Sequence, residues 1–306
     1  MKIKLSLALI ILMAVSVVVF SGCANNNIPI KSTHAAVNTT VSEEKTGTTK
    51  KSATATTAER VTETTVETTA QASTKQQRNN INQNNITIVL DAGHDSKVHT
   101  RNHPNLGVNE QDLNLVITNS AYKRLSQYSG VKVYLSRPDG NCPNDKYGYN
   151  YSSEYGDACI HARTEFARKK HPDLFISFHC NASSGTMGAS ANGAEVYVSK
   201  HKNYYSDCKE LGKIILNNIT SVVDLKSRGV LTRSKSEKGY YDDGTVKDFY
   251  YLISNNIDNK IPAMIIEHAF MDNSHDNTIL KNKTNLKKLG YADADAIAKY
   301  YDLKLK

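Results

Sequence analysis

Three apolar runs of the chain each end close to a residue with an acid–base or metal-binding side chain. A nearly unbroken apolar run of this length is typical of a strand buried on both faces, and small or polar residues after it indicate that its carboxyl end opens into a pocket. Ligands bind at that edge of open α/β sheets. The runs and the residues that follow them are Ile86–Leu90 with His94, Leu174–Phe178 with His179, and Met264–Ile266 with Glu267.

Helical and strand patterns alternate along the same part of the chain, as a mostly parallel sheet with covering helices requires. Further strands are predicted at Val131–Leu135, Ala194–Val198 and Pro262–Ile266. Apolar residues recur at helical spacing over Glu110–Tyr128, Asp157–Lys170, Asp207–Val223 and Leu286–Tyr301. A capping pair, Asp207 with Glu210, predicts where the third of these helices begins. We therefore expect one α/β domain over residues 86–306.

The first 22 residues have the pattern of a signal peptide. Two lysines precede an apolar run, Leu5–Phe20, which is followed by Ser-Gly and then Cys23. A cysteine at this position resembles a bacterial lipoprotein signal, in which Cys23 is lipidated and becomes the mature N-terminus. Phe20 departs from the leucine usual in such signals. An ordinary signal peptide and an uncleaved membrane anchor remain as alternatives, and all three place the rest of the chain outside the cytoplasm.

Residues 23–85 are rich in Thr, Ser and Asn and contain almost no aromatic or large aliphatic residues. Such a segment buries too little apolar surface to offset its chain entropy, so we expect a disordered tether between the membrane and the domain. The chain carries a formal net charge of +8. A small basic excess remains in residues 86–306, which suits an anionic polymer surface but is too weak to indicate nucleic acid.

The polar residues at the strand ends suggest a metal site. His94 and His179 supply imidazole nitrogens, and Glu110 opens the helix that follows the first strand. Two histidines and a carboxylate leave the fourth position of a tetrahedral zinc site open, as in catalytic sites. Glu267 is then available as an uncoordinated acid–base group. The residues alone indicate a zinc hydrolase as one possibility.

The order of short motifs resembles that of the zinc-dependent N-acetylmuramoyl-L-alanine amidases. The motifs are Asp91–His94, Asn109-Glu110, Ser136–Asp139, His161–Arg163, Ile176–Ala182, Gly193–Tyr197, Arg228–Val230 and Ile266–Asn273. The resemblance implies a twisted sheet of about six strands with helices on both faces. It also implies one Zn²⁺ held by His94, Glu110 and His179, with Glu267 as the catalytic carboxylate. The reaction implied is hydrolysis of the amide between the lactyl group of N-acetylmuramic acid and L-alanine in peptidoglycan.

The chain departs from the family pattern at several places. Ala92 stands where proline is usual, Asp95 where glycine is usual, and His268 where a small residue is common. None of these removes a ligand. A Tyr-rich insertion over residues 140–156 lengthens a connection that is normally short, and such a loop either contacts glycan or is a solvated loop held by local bonds.

Four cysteines besides Cys23 form an even set in an oxidising location, so disulfides are allowed. Cys142 with Cys159 is the pair we favour, because it would clip the insertion. Cys180 follows His179 on a strand and should point to the opposite face, as a small core residue.

Three further residues near the site have both functional and structural interpretations. Asn181 either points its amide toward the substrate, as an oxyanion donor, or shapes the turn. Arg163 is expected to be an internal ion-pair partner. His268 follows Glu267 directly. We favour a structural role for it over contact with substrate or metal.

We therefore expect a monomeric, lipid-anchored cell-surface enzyme that acts on peptidoglycan. Two alternatives remain open: a zinc peptidase that cuts stem peptides, and a non-catalytic wall-binding lipoprotein. A binder has no need of Glu267, which argues against the second. A substrate-binding lipoprotein is disfavoured because nothing in the pattern indicates two lobes.

Overall fold

A computed structural model describes residues 85–94, 102–143 and 155–306. The predicted signal peptide (1–22), nearly all of the tether (23–85) and most of the Tyr-rich insertion lie outside the described residues. The main element is a six-stranded sheet of β1 (Ile86–Ala92), β4 (Val131–Leu135), β5 (Leu174–Asn181), β6 (Ala194–Val198), β7 (Ser227–Leu231) and β8 (Ala263–Phe270). The strand order is β4-β1-β5-β8-β6-β7, and only the β6–β8 pair is antiparallel. A short antiparallel pair, β2 (Asn102–His103) with β3 (Val108–Asn109), follows β1.

Helices cover both faces of the sheet, as predicted. They are α1 (Glu110–Leu125), α2 (Tyr155–Lys170), α3 (Lys202–Val222), α4 (Tyr251–Asp258), α5 (Ser274–Leu280) and α6 (Lys283–Tyr300). Side chains alternate along each strand, so one face of the sheet packs with α1, α3 and α6 in the larger core, and the other packs with α2 and α4. Among the described residues, no helix is both long and apolar enough to cross a membrane.

The strand and helix predictions differ from the structure mainly at element ends. The predicted start of α3 is wrong, because the helix begins at Lys202 and Asp207 lies inside it. The cap is His201, whose buried imidazole accepts a hydrogen bond from the backbone N–H of Asn203 at 3.3 Å. Strand β8 continues to Phe270 rather than ending at Ile266.

The disulfide between Cys142 and Cys159 is present, with the two Cα atoms 5.7 Å apart, which confirms the predicted pair. It joins the connection after β4 to helix α2. Cys180 and Cys208 are free and buried, and Cys180 belongs to the larger core, as its place on β5 predicted.

Candidate functional site

His94, Glu110 and His179 meet at the carboxyl ends of β1 and β5, where helix α1 begins. His94 Nε2 lies 3.0 Å and His179 Nδ1 lies 3.1 Å from the same oxygen, Oε1 of Glu110. The two imidazole rings are edge-on to each other, with centroids 4.9 Å apart. One ligand atom from each of the three side chains lies within 4.8 Å of the others. The structure therefore brings the three predicted metal ligands together.

The backbone at Gly93 makes room for the His179 imidazole. A Cβ atom on Gly93 would lie 2.3–2.6 Å from three atoms of that ring, closer than any real contact. His94 then adopts a left-handed conformation with φ 60°, which is uncommon for a residue other than glycine. The glycine before the first histidine is thus required by the packing of the second histidine.

Two buried side chains hold the Ala92-Gly93 backbone in place. Arg137 donates from Nε to the carbonyl of Ala92 at 2.7 Å and from a terminal nitrogen to the carbonyl of Gly93 at 3.0 Å. The amide of Asn114, on α1, donates to the same Gly93 carbonyl at 3.3 Å. These bonds fix the position from which the His94 side chain reaches Glu110.

A buried ion pair joins the carboxyl end of β1 to helix α2. The Asp91 carboxylate accepts hydrogen bonds from Arg163 on α2, from Ser136, and from Ser177 on β5 at 2.6 Å. Arg163 and Asp91 are almost fully buried. The structure confirms Arg163 as an internal ion-pair partner.

The electrostatics of the three-residue cluster suit a cation. Burial of Glu110 opposes its ionisation, but the two imidazoles outweigh this effect and bring the pKa of Glu110 well below its usual range. Burial lowers the pKa of His179 and so favours its neutral form, which is the form that binds metals.

One atom of the cluster lacks a protein partner. His179 Nε2 is buried, and among the described residues it has no hydrogen-bond partner. Burying a polar nitrogen without a partner is costly. This atom, together with two imidazoles and an ionised carboxylate, fits a zinc site with an open position.

Glu267 lies beside the cluster on the neighbouring strand. It pairs in register with His179 of β5, so the two side chains share a face of the sheet. Only 9% of Glu267 is exposed. The predicted acid–base residue is thus one strand away from a predicted metal ligand.

Glu195 is a second buried carboxylate in the same row, which the sequence did not single out. It pairs in register with Glu267 across the β6–β8 ladder. Its Oε1 accepts from the Asn181 amide at 2.8 Å and the Tyr197 hydroxyl at 3.0 Å, and its Oε2 accepts from Arg228 Nε at 2.6 Å. Asn181 therefore lies near the site with its amide held by Glu195, while its oxygen accepts from the N–H of the next residue.

His268 points away from the cluster, into the larger core. Its ring stacks on Phe178, and its Nδ1 is 3.0 Å from the backbone carbonyl of His179. Its Nε2 is 2.9 Å from a carboxylate oxygen of Asp293, whose pKa is raised by burial. The His268 imidazole thus supports the backbone of His179, and it is not one of the three side chains that form the candidate metal site.

A second group of metal-competent side chains, His201 with Asp242 and Asp243, has other partners. Lys260 pairs with Asp242, and the backbone N–H of Lys202 donates to Asp243 at 2.6 Å. These contacts indicate that the group anchors the N-terminus of α3.

Comparison with known proteins gives consistent matches. A family model described as N-acetylmuramoyl-L-alanine amidase matches residues 88–299. The N-acetylmuramoyl-L-alanine amidase LytC of Bacillus subtilis (strain 168) is 26% identical over 215 residues, which are 70% of this chain and 35% of LytC. An uncharacterized cell wall amidase of Bacillus anthracis is 24% identical over 231 residues, 72% of this chain and 37% of that protein. The chain thus spans little more than a third of the length of these two relatives.

A solved structure has the same fold. The CwlD amidase from Clostridioides difficile, in complex with the GerS lipoprotein, is 27% identical to this chain with a TM-score of 0.56. The match covers 71% of this chain and 99% of CwlD.

Proposed function

The chain belongs to the N-acetylmuramoyl-L-alanine amidase family, and on this premise we propose that it hydrolyses the amide between the lactyl group of N-acetylmuramic acid and L-alanine in peptidoglycan. The observation that carries the proposal is the convergence of His94, Glu110 and His179 beside Glu267. A fold shared with amidases does not by itself bring such side chains together, and metal ligands beside a buried carboxylate are the groups that metal-assisted amide hydrolysis uses.

We propose that His94, Glu110 and His179 hold one zinc ion, which when bound supplies a Lewis acid and lowers the pKa of water to about 7. The buried Nε2 of His179 and the ionised Glu110 support this assignment. Arg137 and Asn114 contribute by fixing the backbone before His94.

Glu267 is the proposed acid–base residue. Its carboxylate takes the proton of the attacking water and then gives it to the nitrogen of the departing L-alanine. Glu195 is a weaker candidate for this role, because both its oxygens already accept hydrogen bonds. Asn181 is proposed as a substrate-facing residue, with the shaping of the turn after β5 as its alternative role.

We further propose that the enzyme acts outside the cytoplasm, with residues 1–22 as a lipoprotein-type signal, Cys23 as the lipidated residue, and residues 23–85 as a tether for the domain at 86–306. The lysine-flanked apolar run and the position of Cys23 support this. The CwlD structure is a complex with a separate lipoprotein, whereas the proposed anchor of this chain is its own. Loss of membrane association in a Cys23→Ala variant would test the anchor.

The activity is tested by digesting purified peptidoglycan with the protein, with and without a zinc chelator, and measuring the fragments by mass spectrometry. We expect free stem peptides that begin with L-alanine, abolished by chelation and restored by zinc. Shortened stems still attached to muramic acid would identify a peptidase instead. Undigested wall that retains the protein would identify a binding module.

A further inference from the structure

Arg228 and Glu195 lie at the same edge of the sheet as the candidate metal ligands. Strand β6 runs antiparallel to β8, and β7 is parallel to β6. The amino ends of β6 and β7 therefore meet the carboxyl ends of β1, β5 and β8 at one edge. Arg228 and Glu195 are each the second residue of their strand, so both stand beside the site.

A β-bulge directs Arg228 toward Glu195. Ala194 pairs with Ser227, but the next residue, Glu195, pairs with Gly229, so Arg228 is an extra residue in its strand. Gly229 has φ +92° although a side chain there would have open space, so the backbone conformation is what requires glycine. Bulges of this kind change the direction of a side chain and are common next to active sites.

The contacts of Arg228 orient its guanidinium but use only one of its N–H donors. Nε donates to Glu195, and the guanidinium lies 4.9 Å from the centre of the Phe270 ring. Among the described residues, the bond to Glu195 is the one hydrogen bond that this guanidinium makes. The side chain is 39% exposed, whereas its partner Glu195 is 3% exposed. An arginine has five N–H donors, so the terminal fork remains available for a planar, two-oxygen group such as a carboxylate.

The distance from Glu267 suits the peptide part of the proposed substrate. Glu195 lies one strand and β7 two strands from Glu267, which places the backbone at Arg228 about 10 Å away, and the side chain reaches back toward Glu195. Two extended residues span about 7 Å. A carboxylate on the residue after the L-alanine of the scissile amide is therefore within reach, and the amide-linked lactyl group has no free carboxylate of its own.

We propose that Arg228, held by Glu195 and Phe270, is a specificity-determining residue that binds a carboxylate of the leaving peptide. The inference rests on the proposed amidase function and deepens it, because it assigns the β6–β7 side of the site to the peptide. Both terminal nitrogens of Arg228 donate to the substrate carboxylate, and Glu195 fixes their direction.

The test compares two small substrates in the zinc-loaded protein: N-acetylmuramoyl-L-alanyl-glutamine, whose α-carboxylate is free and whose side chain is an amide, and the same compound with its α-carboxylate as a carboxamide. We expect the wild type to cleave the carboxylate compound with kcat/KM about 10- to 100-fold higher, mainly through KM, since one charge-assisted interaction is lost in the carboxamide. Arg228→Gln should lower kcat/KM for the carboxylate compound at least tenfold more than for the carboxamide, so that most of the preference is lost. Arg228→Lys should retain part of the preference.

Arg233 provides the matched control. It is also an exposed arginine on an aromatic ring, 3.8 Å from the centre of Phe249. Arg233→Gln should keep the full preference for the carboxylate. Equal losses on both substrates in Arg228→Gln, or no preference in the wild type, would overturn the proposal.

The experiment also distinguishes failure of the proposed amidase function from failure of the Arg228 proposal. If the zinc-loaded wild type cleaves neither compound, the amidase assignment is wrong for these substrates. Calorimetric binding of the two compounds then tests Arg228 by itself. Tighter binding of the carboxylate form that disappears in Arg228→Gln supports the subsite, and equal binding rejects it.

Discussion

His179 and Glu267 lie at the same level of two adjacent parallel strands, with their side chains on the same face of the sheet. Backbone hydrogen bonds between β5 and β8 therefore set the spacing between a candidate metal ligand and the candidate acid–base residue, at about 4.8 Å between strands. Residues on strands are positioned more accurately than residues on loops. Mutation of each residue therefore tests a separate proposed role: metal binding for His179 and proton transfer for Glu267.

Replacing Glu267 with Gln should remove turnover and leave metal binding intact. The amide has nearly the same size but cannot take a proton from water, and general acid–base catalysis contributes about 10²- to 10⁴-fold. The measurements are kcat on a muramoyl peptide and zinc content of the dialysed protein. Glu165→Gln is the control, because Glu165 pairs with Arg168 on the surface of α2. An active Glu267→Gln enzyme would remove our assignment of the base.

Replacing His179 with Ala should instead abolish both metal binding and turnover. The change removes one of three proposed ligands and the hydrogen bond to Glu110. Zinc bound after equilibrium dialysis should fall at least tenfold. Loss of a residue that only supports a metal ligand already lowers affinity about 10- to 100-fold, so loss of a ligand itself should have at least the smaller of these effects. His275→Ala, at a half-exposed histidine on α5, should bind zinc normally. Full zinc occupancy in His179→Ala would contradict the proposed ligand set.

The sequence predicted the cluster because each of its histidines and Glu267 follows an apolar strand run, and such runs can be recognised without tertiary information. It did not identify Glu195, whose role depends on the pairing of β6 with β8 and on donors from three different segments. The start of α3 was misplaced for a similar reason. Its cap is a histidine whose buried imidazole is held by Asp242, a residue far along the chain.

Replacing Gly93 with Ala should weaken zinc binding although Gly93 is not a proposed ligand. The added methyl group would overlap the His179 imidazole, so the ring must leave its place near Glu110. We expect a zinc affinity at least tenfold lower, measured by competition with a chromogenic chelator. Gly244→Ala is the control, because it introduces strain at φ +81° but places its methyl group in open space. Equal zinc affinities of the two variants would show that the ring adapts to the added group.

Replacing Arg163 with Met should destabilise the domain strongly. Asp91 would keep a buried charge without its cationic partner, and breaking a buried pair from one side costs about 3–5 kcal/mol. The free energy of unfolding in urea provides the measurement. Adding Asp91→Asn to the variant should recover part of the loss, because the uncompensated charge is removed. No recovery in the double variant would mean that the packing of Arg163 matters more than the charge.

Removing the disulfide should lower stability by about 3 kcal/mol, since Cys142 and Cys159 are 17 residues apart and the bond restricts the unfolded chain. Dithiothreitol should therefore lower the Tm of the wild type to that of a variant with both residues changed to Ser, and should leave the variant itself unchanged. Gly140, two residues before Cys142, accepts a hydrogen bond from Arg137, which also holds the backbone before His94. Zinc affinity of the double Ser variant, measured without reductant, should accordingly be lower than that of the wild type. A fall in Tm with unchanged zinc affinity would show that the Arg137 contacts persist without the disulfide.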